Sequence, residues 1–430
     1  MKLPAYPRTK PSGVEWLGEV PEHWEAKRLK YSASINDEAL PEATLPDFDF
    51  KYVDIGGVNA VDGITATEEV VFENAPSRAR RIVRHGDTIV STVRTYLRAI
   101  APIKNPPENL IVSTGFAVVR PRKVEPAFLA YALRESSFIE SVVARSTGVS
   151  YPACNASEVG GIAIPLPTPV EQRSIAAFLD RETGRVDRLV AKKRELIERL
   201  KEKRTALISR TVTRGLPPAA ARAAGLPENS PLKPSDLDWL SDIPAHWEFK
   251  KLRYLCKIAT GDKDTVDAVD GGEFPFFVRS QTVEHIDSYS FDCEAVLTAG
   301  DGVGVGKVFH HYQGKFAVHQ RVYVLHSFQK VSGRFLFMFM KEFFARVALG
   351  GEAKSTVDSL RRPIFTDFVV LLPPLPEQAA IAAYVDAETA KLDALVWKVE
   401  AAVERLQEYR TALITAAVTG KIDVRKEVAP

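Results

Sequence analysis

The sequence predicts an α+β protein built by internal duplication, with two similar domains that each run into a long helix. Three observations carry this. The stretch PEHWEAKRLKY at 21–31 returns as PAHWEFKKLRY at 244–254, an offset of 223. A second stretch, EQRSIAAFLDRET at 171–183, returns as EQAAIAAYVDAET at 377–389, an offset of 206. Between the two repeats the chain is β-branched and alternating, as half-buried strands are.

The totals agree with this plan. A chain of 430 residues, 45% apolar and 26% charged, is long enough for at least two domains with cores. No run of 18 apolar residues suggests a membrane span, and MKLPAYPRTKPSGVEW does not read as a signal peptide. Three cysteines (Cys154, Cys256 and Cys293) are too few and too scattered for a disulfide framework or a zinc site, so they read as reduced thiols of a cytoplasmic protein. A net charge of +2 neither demands nor excludes nucleic acid; the distribution of charge matters more.

Each half opens on the same block, which begins before the PxHW motif: WLGEVPEHW at 16–24 and WLSDIPAHW at 239–247. A variable block follows. In the first half VVFENA, RRIVRHGDTIVSTV and LIVSTGFAVVRP read as strands separated by Gly-Asp turns, and EPAFLAYALRESSFIESVVAR (125–145) reads as a helix. The second half echoes this with GKFAVHQRVYVL and then a helix at GRFLFMFMKEFFARVAL (333–349). The variable block is 17 residues longer in the first half, the difference between the two offsets.

Proline-rich punctuation, IPLPTPVEQ and LLPPLPEQ, then introduces each long helix. A heptad seam with alternating spacings of four and three runs Ile175, Leu179, Glu182, Val186, Leu189, Lys193, Leu196, Leu200, Lys203, Leu207 in the first copy. In the second it runs Ile381, Val385, Glu388, Leu392, Leu395, Val399, Ala402, Leu406, Tyr409, Leu413. A seam of this kind predicts coiled-coil packing; the alternative is an amphipathic helix lying on its own domain. A helix from Ile175 to Val212 would span ~57 Å at ~1.5 Å per residue. The first helix is basic, with 12 Lys/Arg against 6 Asp/Glu over 175–214, and the second, 381–421, has 5 against 6. LPPAAARAAGLPENSPLKPS (216–235) reads as a Pro/Ala-rich linker.

The whole chain resembles the DNA-specificity subunits of type I restriction-modification systems. The likeness rests on the paired PEHW/PAHW blocks, the PLP…EQ helix starts, the two matched helices, STGVSYPACNASEV (146–159) and KSTVDSLRRPIFTDF (354–368). It implies two target-recognition domains, each reading half of a split DNA sequence, separated by two long antiparallel helices in a pseudo-twofold arrangement. The expected divisions are 1–164 for the first recognition domain, 165–215 for the first spacer helix, 216–235 for the linker, 236–370 for the second recognition domain and 371–425 for the second spacer helix. It also implies a non-catalytic chain. Two adenine methyltransferase subunits, and ATP-dependent restriction subunits in the full complex, would be its partners. S-adenosylmethionine, ATP and Mg would then belong to those partners.

The residues agree with the absence of catalysis. Asn105-Pro106-Pro107-Glu108 falls short of the NPP-aromatic motif of adenine methyltransferases, because Glu108 cannot stack a flipped base. GDGVGVGKVF (300–309) lacks GxGxxG spacing and puts Val308 where a Walker loop needs Ser or Thr, so its glycines read as a turn or bulge. His310, His311 and His319 have no acid or cysteine at ligand spacing for a metal.

DNA-contact candidates are therefore polar and basic residues of the variable blocks. In the first, Arg94, Tyr96 and Arg98 would share one side of a strand, followed by Arg145, Ser146, Thr147 and Tyr151. In the second, Lys307, His310, His311, His319, Gln320 and Arg321 cluster, with Lys354, Ser355 and Thr356 further on. Arg and Gln suit guanine and adenine edges, whereas Lys, Ser and Thr more often hold phosphate. The rival reading is a coiled-coil scaffold that joins two protein-interaction domains and never meets DNA.

Overall fold

The β-branched segments of the first half pair into two four-stranded sheets. One orders Ile100–Pro102, Thr88–Ser91, Phe116–Pro121 and Ala33–Ile35, all antiparallel. The other orders Glu68–Val71, Asp49–Val53, Leu110–Ser113 and Ala79–Ile82, with Asp49–Val53 and Leu110–Ser113 parallel. In the second half a six-stranded sheet orders Lys257–Thr260, Val322–His326, Phe291–Ala299, Phe309–Val318, Phe274–Phe277 and Glu284–Ile286. The computed structural model describes residues 3–59, 62–148, 151–237, 239–348 and 360–427. By its contacts the chain divides into two units, 1–193 with 401–430, and 194–400.

The helix expected over 125–145 is two helices, Pro126–Leu133 and Ser136–Ala144. Glu135 makes the break: it takes an extended backbone, and its carboxylate accepts the Phe138 amide at 2.9 Å as an N-cap. Its other oxygen accepts the Thr415 hydroxyl at 3.2 Å. The counterpart in the second half, Gly333–Ala348, is unbroken and buries Phe335, Phe339 and Phe344 completely. Within 216–235, Pro218–Ala223 is helical, and Leu232–Leu237 pairs with Leu240–Pro244.

Two long helices, Pro169–Arg214 and Leu375–Val418, take the repeated EQ blocks. In the first unit Ile175, Phe178 and Leu179 share a core with Leu413, Ile414 and Val418; in the second, Val212 shares one with Ile381 and Val385. Each unit therefore packs the start of one long helix against the end of the other, which is antiparallel packing. The ion pairs follow the repeat. Arg410 meets Asp187 at 2.9 Å in the first unit, and Arg204 meets Asp393 at 3.0 Å in the second.

The buried stripe departs from the heptad seam. Leu189, Leu196, Leu395 and Tyr409 are 41%, 44%, 46% and 54% exposed. Leu179, Val186, Val385, Leu392 and Leu413 are buried, and Leu200, Leu207, Val399 and Leu406 are half-buried. The better-buried row steps by eleven: Ile175, Val186, Ile197, Ile208 in one helix and Ile381, Leu392, Val403, Ile414 in the other. Eleven residues over three turns is ~3.67 per turn, nearer the ~3.6 of a straight α-helix than the ~3.5 of a heptad. A heptad reading therefore slips off the buried face after Val186, and the side chains one position on, Val190 and Ile197, are the buried ones.

The repeated motifs meet each other. The carboxylate of Glu171, in the first turn of the long helix, lies 2.8 Å and 3.0 Å from His23 Nε2 and accepts the Trp24 indole N–H at 3.5 Å. Glu377 does the same with His246 at 2.8 Å and Trp247 at 3.1 Å. Both tryptophans are fully buried. The neighbouring glutamine ties the third element in. Gln172 accepts the Glu125 amide at 2.7 Å, ahead of Pro126–Leu133, and Gln378 accepts the Ser332 amide at 2.8 Å, ahead of Gly333–Ala348. PxHW and EQ thus recur because together they fasten opening block, domain helix and long helix into one joint.

Candidate nucleic-acid interface

In the first unit the segment after Thr88–Ser91 leaves the strand and makes a 3-10 turn at Thr95–Leu97. Arg94 and Arg98 flank it at φ 52° and 51°, the left-handed region, so Arg94, Tyr96 and Arg98 do not share one side of a strand. The turn is pinned from both sides. Arg94 N donates to Pro152 O at 2.8 Å, Cys154 N to Thr92 O at 2.9 Å, and the hydroxyls of Thr95 and Ser146 meet at 2.7 Å. Thr147 and Ala153 exchange backbone hydrogen bonds, and Ala153 also bridges to Val93 beside this turn.

The two first-half candidate groups therefore come together. The Arg94 guanidinium lies 4.8 Å over the ring of Tyr151, and Tyr96 and Tyr151 are 55% and 62% exposed. Arg98 is paired with Glu140, and Arg145 donates back to Ser141 O at 2.7 Å. Exposed rings beside guanidinium groups suit stacking and phosphate neutralisation.

In the second unit three loops converge at one end of the six-stranded sheet: 279–283, 300–307 and 319–321. Lys307, Gln320 and Arg321 are exposed there. Gln320 gives its amide to Asp264 at 2.6 Å, and His310 Nε2 lies 3.0 Å from Ser280 O. Two histidines point elsewhere. His311, adjacent to His310 on a strand, faces the opposite side, 2.9 Å from Glu294 and 6.0 Å from the Phe337 ring. His319 is 2% exposed, and its Nδ1 accepts the Arg321 amide at 3.0 Å. Burial holds the His310 and His319 rings below the usual imidazole range, aided at His319 by Arg279, so both are uncharged near neutrality. Lys354, Ser355 and Thr356 lie outside the described residues.

Sequence reasoning missed Arg279 and Asp301. Asp301 is buried, accepts Arg279 Nη1 at 3.1 Å and Arg321 Nη1 at 2.6 Å, and joins the 279 and 321 loops. Burial works against its ionisation, but the two guanidinium groups outweigh it and hold the carboxyl below its ordinary range. Among the described residues no His/Cys/Asp/Glu group could hold a metal, and no helix is long and apolar enough to cross a membrane. Burial pushes the Cys154, Cys256 and Cys293 thiols up, Cys256 to about 12.

Comparison with known proteins agrees with this architecture. A family model described as type I restriction modification DNA specificity domain matches residues 21–199 and 244–405. The Escherichia coli type I restriction enzyme EcoDI specificity subunit is 32% identical over 180 residues, which cover 42% of this chain and 39% of that protein. The Methanocaldococcus jannaschii MjaVIII specificity subunit is 23% identical over 445 residues, 94% of each chain. A chain solved in work on complex assembly and conformational transition of the type I R-M system shares the fold, at TM-score 0.72 and 24% identity, over 94% of this chain and 99% of that one. With the family model matched twice, once over each copy of the repeat, the chain belongs to the type I restriction modification DNA specificity family.

Proposed function

We propose that this chain reads a bipartite DNA sequence, one half-site with each domain, and is not itself catalytic. It positions two adenine methyltransferase subunits and, in the full complex, ATP-dependent restriction subunits. S-adenosylmethionine, ATP and Mg are supplied on those partners. The observation that carries the reading is the loop-borne basic surface of each unit, joined in the first by exposed tyrosines, set on a frame whose fastening residues are the same in both. A frame held constant while its exposed loops diverge is what reading two different half-sites requires.

The test is methylation-sensitive sequencing of DNA from cells that express this chain with its methyltransferase. Residues 32–164 are then exchanged for the equivalent of a relative. The expected outcome is a split methylated sequence of which the exchange alters one half. Methylation that is absent with both chains present, or an exchange that alters both halves, sinks the reading. Purified chain given S-adenosylmethionine and a DNA library should transfer no methyl groups.

A further inference from the structure

The glycines of GDGVGVGK let two arginines close on one carboxylate. A Cβ on Gly300 would lie 2.9 Å from Arg321 O, and one on Gly304 would lie 2.4 Å from Arg279 O. Gly300 N also donates to Arg321 O at 2.8 Å. Gly302, at φ +74°, turns the loop between them. Only glycine allows backbone to approach that closely on both sides. The consequence is that Asp301 sits under both guanidinium groups, its own side chain 10% exposed while theirs are 43% and 60% exposed.

We propose that Arg279 and Arg321, seated on Asp301, are the base-reading pair of the second domain, each taking a guanine edge in the major groove. This rests on the DNA-reading function proposed above. Each guanidinium gives one N–H to Asp301 and keeps four of its five donors for a ligand. A guanine presents O6 and N7 side by side, which a fixed guanidinium fork matches with two bonds. Fixing the fork matters for reading an edge, whereas a phosphate accepts a cation from many directions. The first domain shows the contrasting use of the same chemistry. Arg120 there gives Nε and Nη2 to Asp87 at 2.9 Å and 2.8 Å and Nη1 to Glu38, and its side chain is only 14% exposed. Arg120 is consumed internally; Arg279 and Arg321 are presented.

Asp301 is then a positioning residue. The experiment selects duplexes from a randomised library with the full chain, then measures binding to the selected duplex and its single-base changes over a salt series. R279A and R321A should each lose preference at one G·C pair of a single half-site, a drop of about 5- to 150-fold in discrimination. The other half-site should keep its preferences. R279K and R321K keep the charge and lose the fork, so they should lose the same preferences, and they serve where an alanine variant melts early. D301N should lower both preferences together while binding to unrelated DNA is kept. Variants that retain both preferences overturn the assignment. So do variants that weaken all sequences alike with a shallower salt slope, because that marks phosphate contact. A wild-type chain that enriches no sequence overturns the DNA-reading function itself.

Discussion

The two joints of this molecule are nearly the same and its two loop surfaces are not. His23, Trp24 and Glu171 repeat as His246, Trp247 and Glu377, and Gln172 repeats as Gln378. Among the described residues the arginine-bearing loops share no such correspondence. One presents Arg94 stacked on Tyr151; the other presents Arg279 and Arg321 on a shared aspartate. Duplicated residues hold the frame, and divergent ones carry the candidate chemistry.

Removing the indoles tests the equivalence of the joints with the largest expected effect. Trp24→Ala and Trp247→Ala each empty a fully buried site, at a cost of about 3–5 kcal/mol. Thermal melting should show comparable losses in both variants. A large loss in one and none in the other would mean that the repeat has kept its letters without its role.

The eleven-residue row predicts the next effect. Ile197→Ala should cost about 2–4 kcal/mol, whereas Leu196→Ala, one position away and 44% exposed, should stay within about 0.5 kcal/mol. Equal costs in the isolated chain would restore the heptad seam.

This pair of residues also shows where sequence reading stops. The duplication, the two long helices and the strands were legible, because they depend on local period and on repeated letters. The face of the helix was not. Heptad and eleven-residue templates coincide at Ile175, Leu179 and Val186 and separate only afterwards, where apolar residues stand at both candidate positions. The turn at Thr95–Leu97 was hidden because its left-handed positions hold arginine, without the glycine that usually marks such a backbone. The break before Ser136 carries no Gly or Pro and depends on a capping carboxylate. Arg279 escaped because the carboxylate that gives it meaning is 22 residues away along the chain.

The loop surfaces can be separated by mutation at a smaller scale. Arg94→Ala removes a guanidinium from Tyr151 and should weaken or relax only the half-site read by the first domain, by about 1–3 kcal/mol if a base contact is lost. Arg98→Ala also frees Glu140, so its effect should include added repulsion toward phosphate and a salt dependence that Arg94→Ala does not share. Binding to cognate and single-base-changed duplexes over a salt series separates the two. Unchanged affinity and salt slope in both variants would take this turn out of the interface.

The smallest expected effect is on the acid side, and it distinguishes the first joint. Glu171 is 5% exposed, and burial alone would raise its pKa. The hydrogen bonds from His23 and Thr168 and the charge of His23 outweigh burial and leave the carboxyl below its ordinary range. Tyr6 also touches it at 3.5 Å, and Arg425 approaches to 4.0 Å. A carboxyl with a depressed pKa in the folded state stabilises the fold fully above its unfolded value of about 4.3, and the contribution disappears as pH falls through the lower folded value. The difference in melting temperature between wild type and Glu171→Gln should therefore shrink as pH falls below about 4. The same subtraction with Glu377→Gln measures the second joint directly. That joint has no described counterpart of Tyr6 or Arg425 on its carboxylate, so Glu377→Gln should produce the smaller difference at neutral pH. A Glu171→Gln difference that grows as pH falls below about 4 would mean that the carboxyl is held protonated, and that the joint is a neutral hydrogen bond instead of an ion pair.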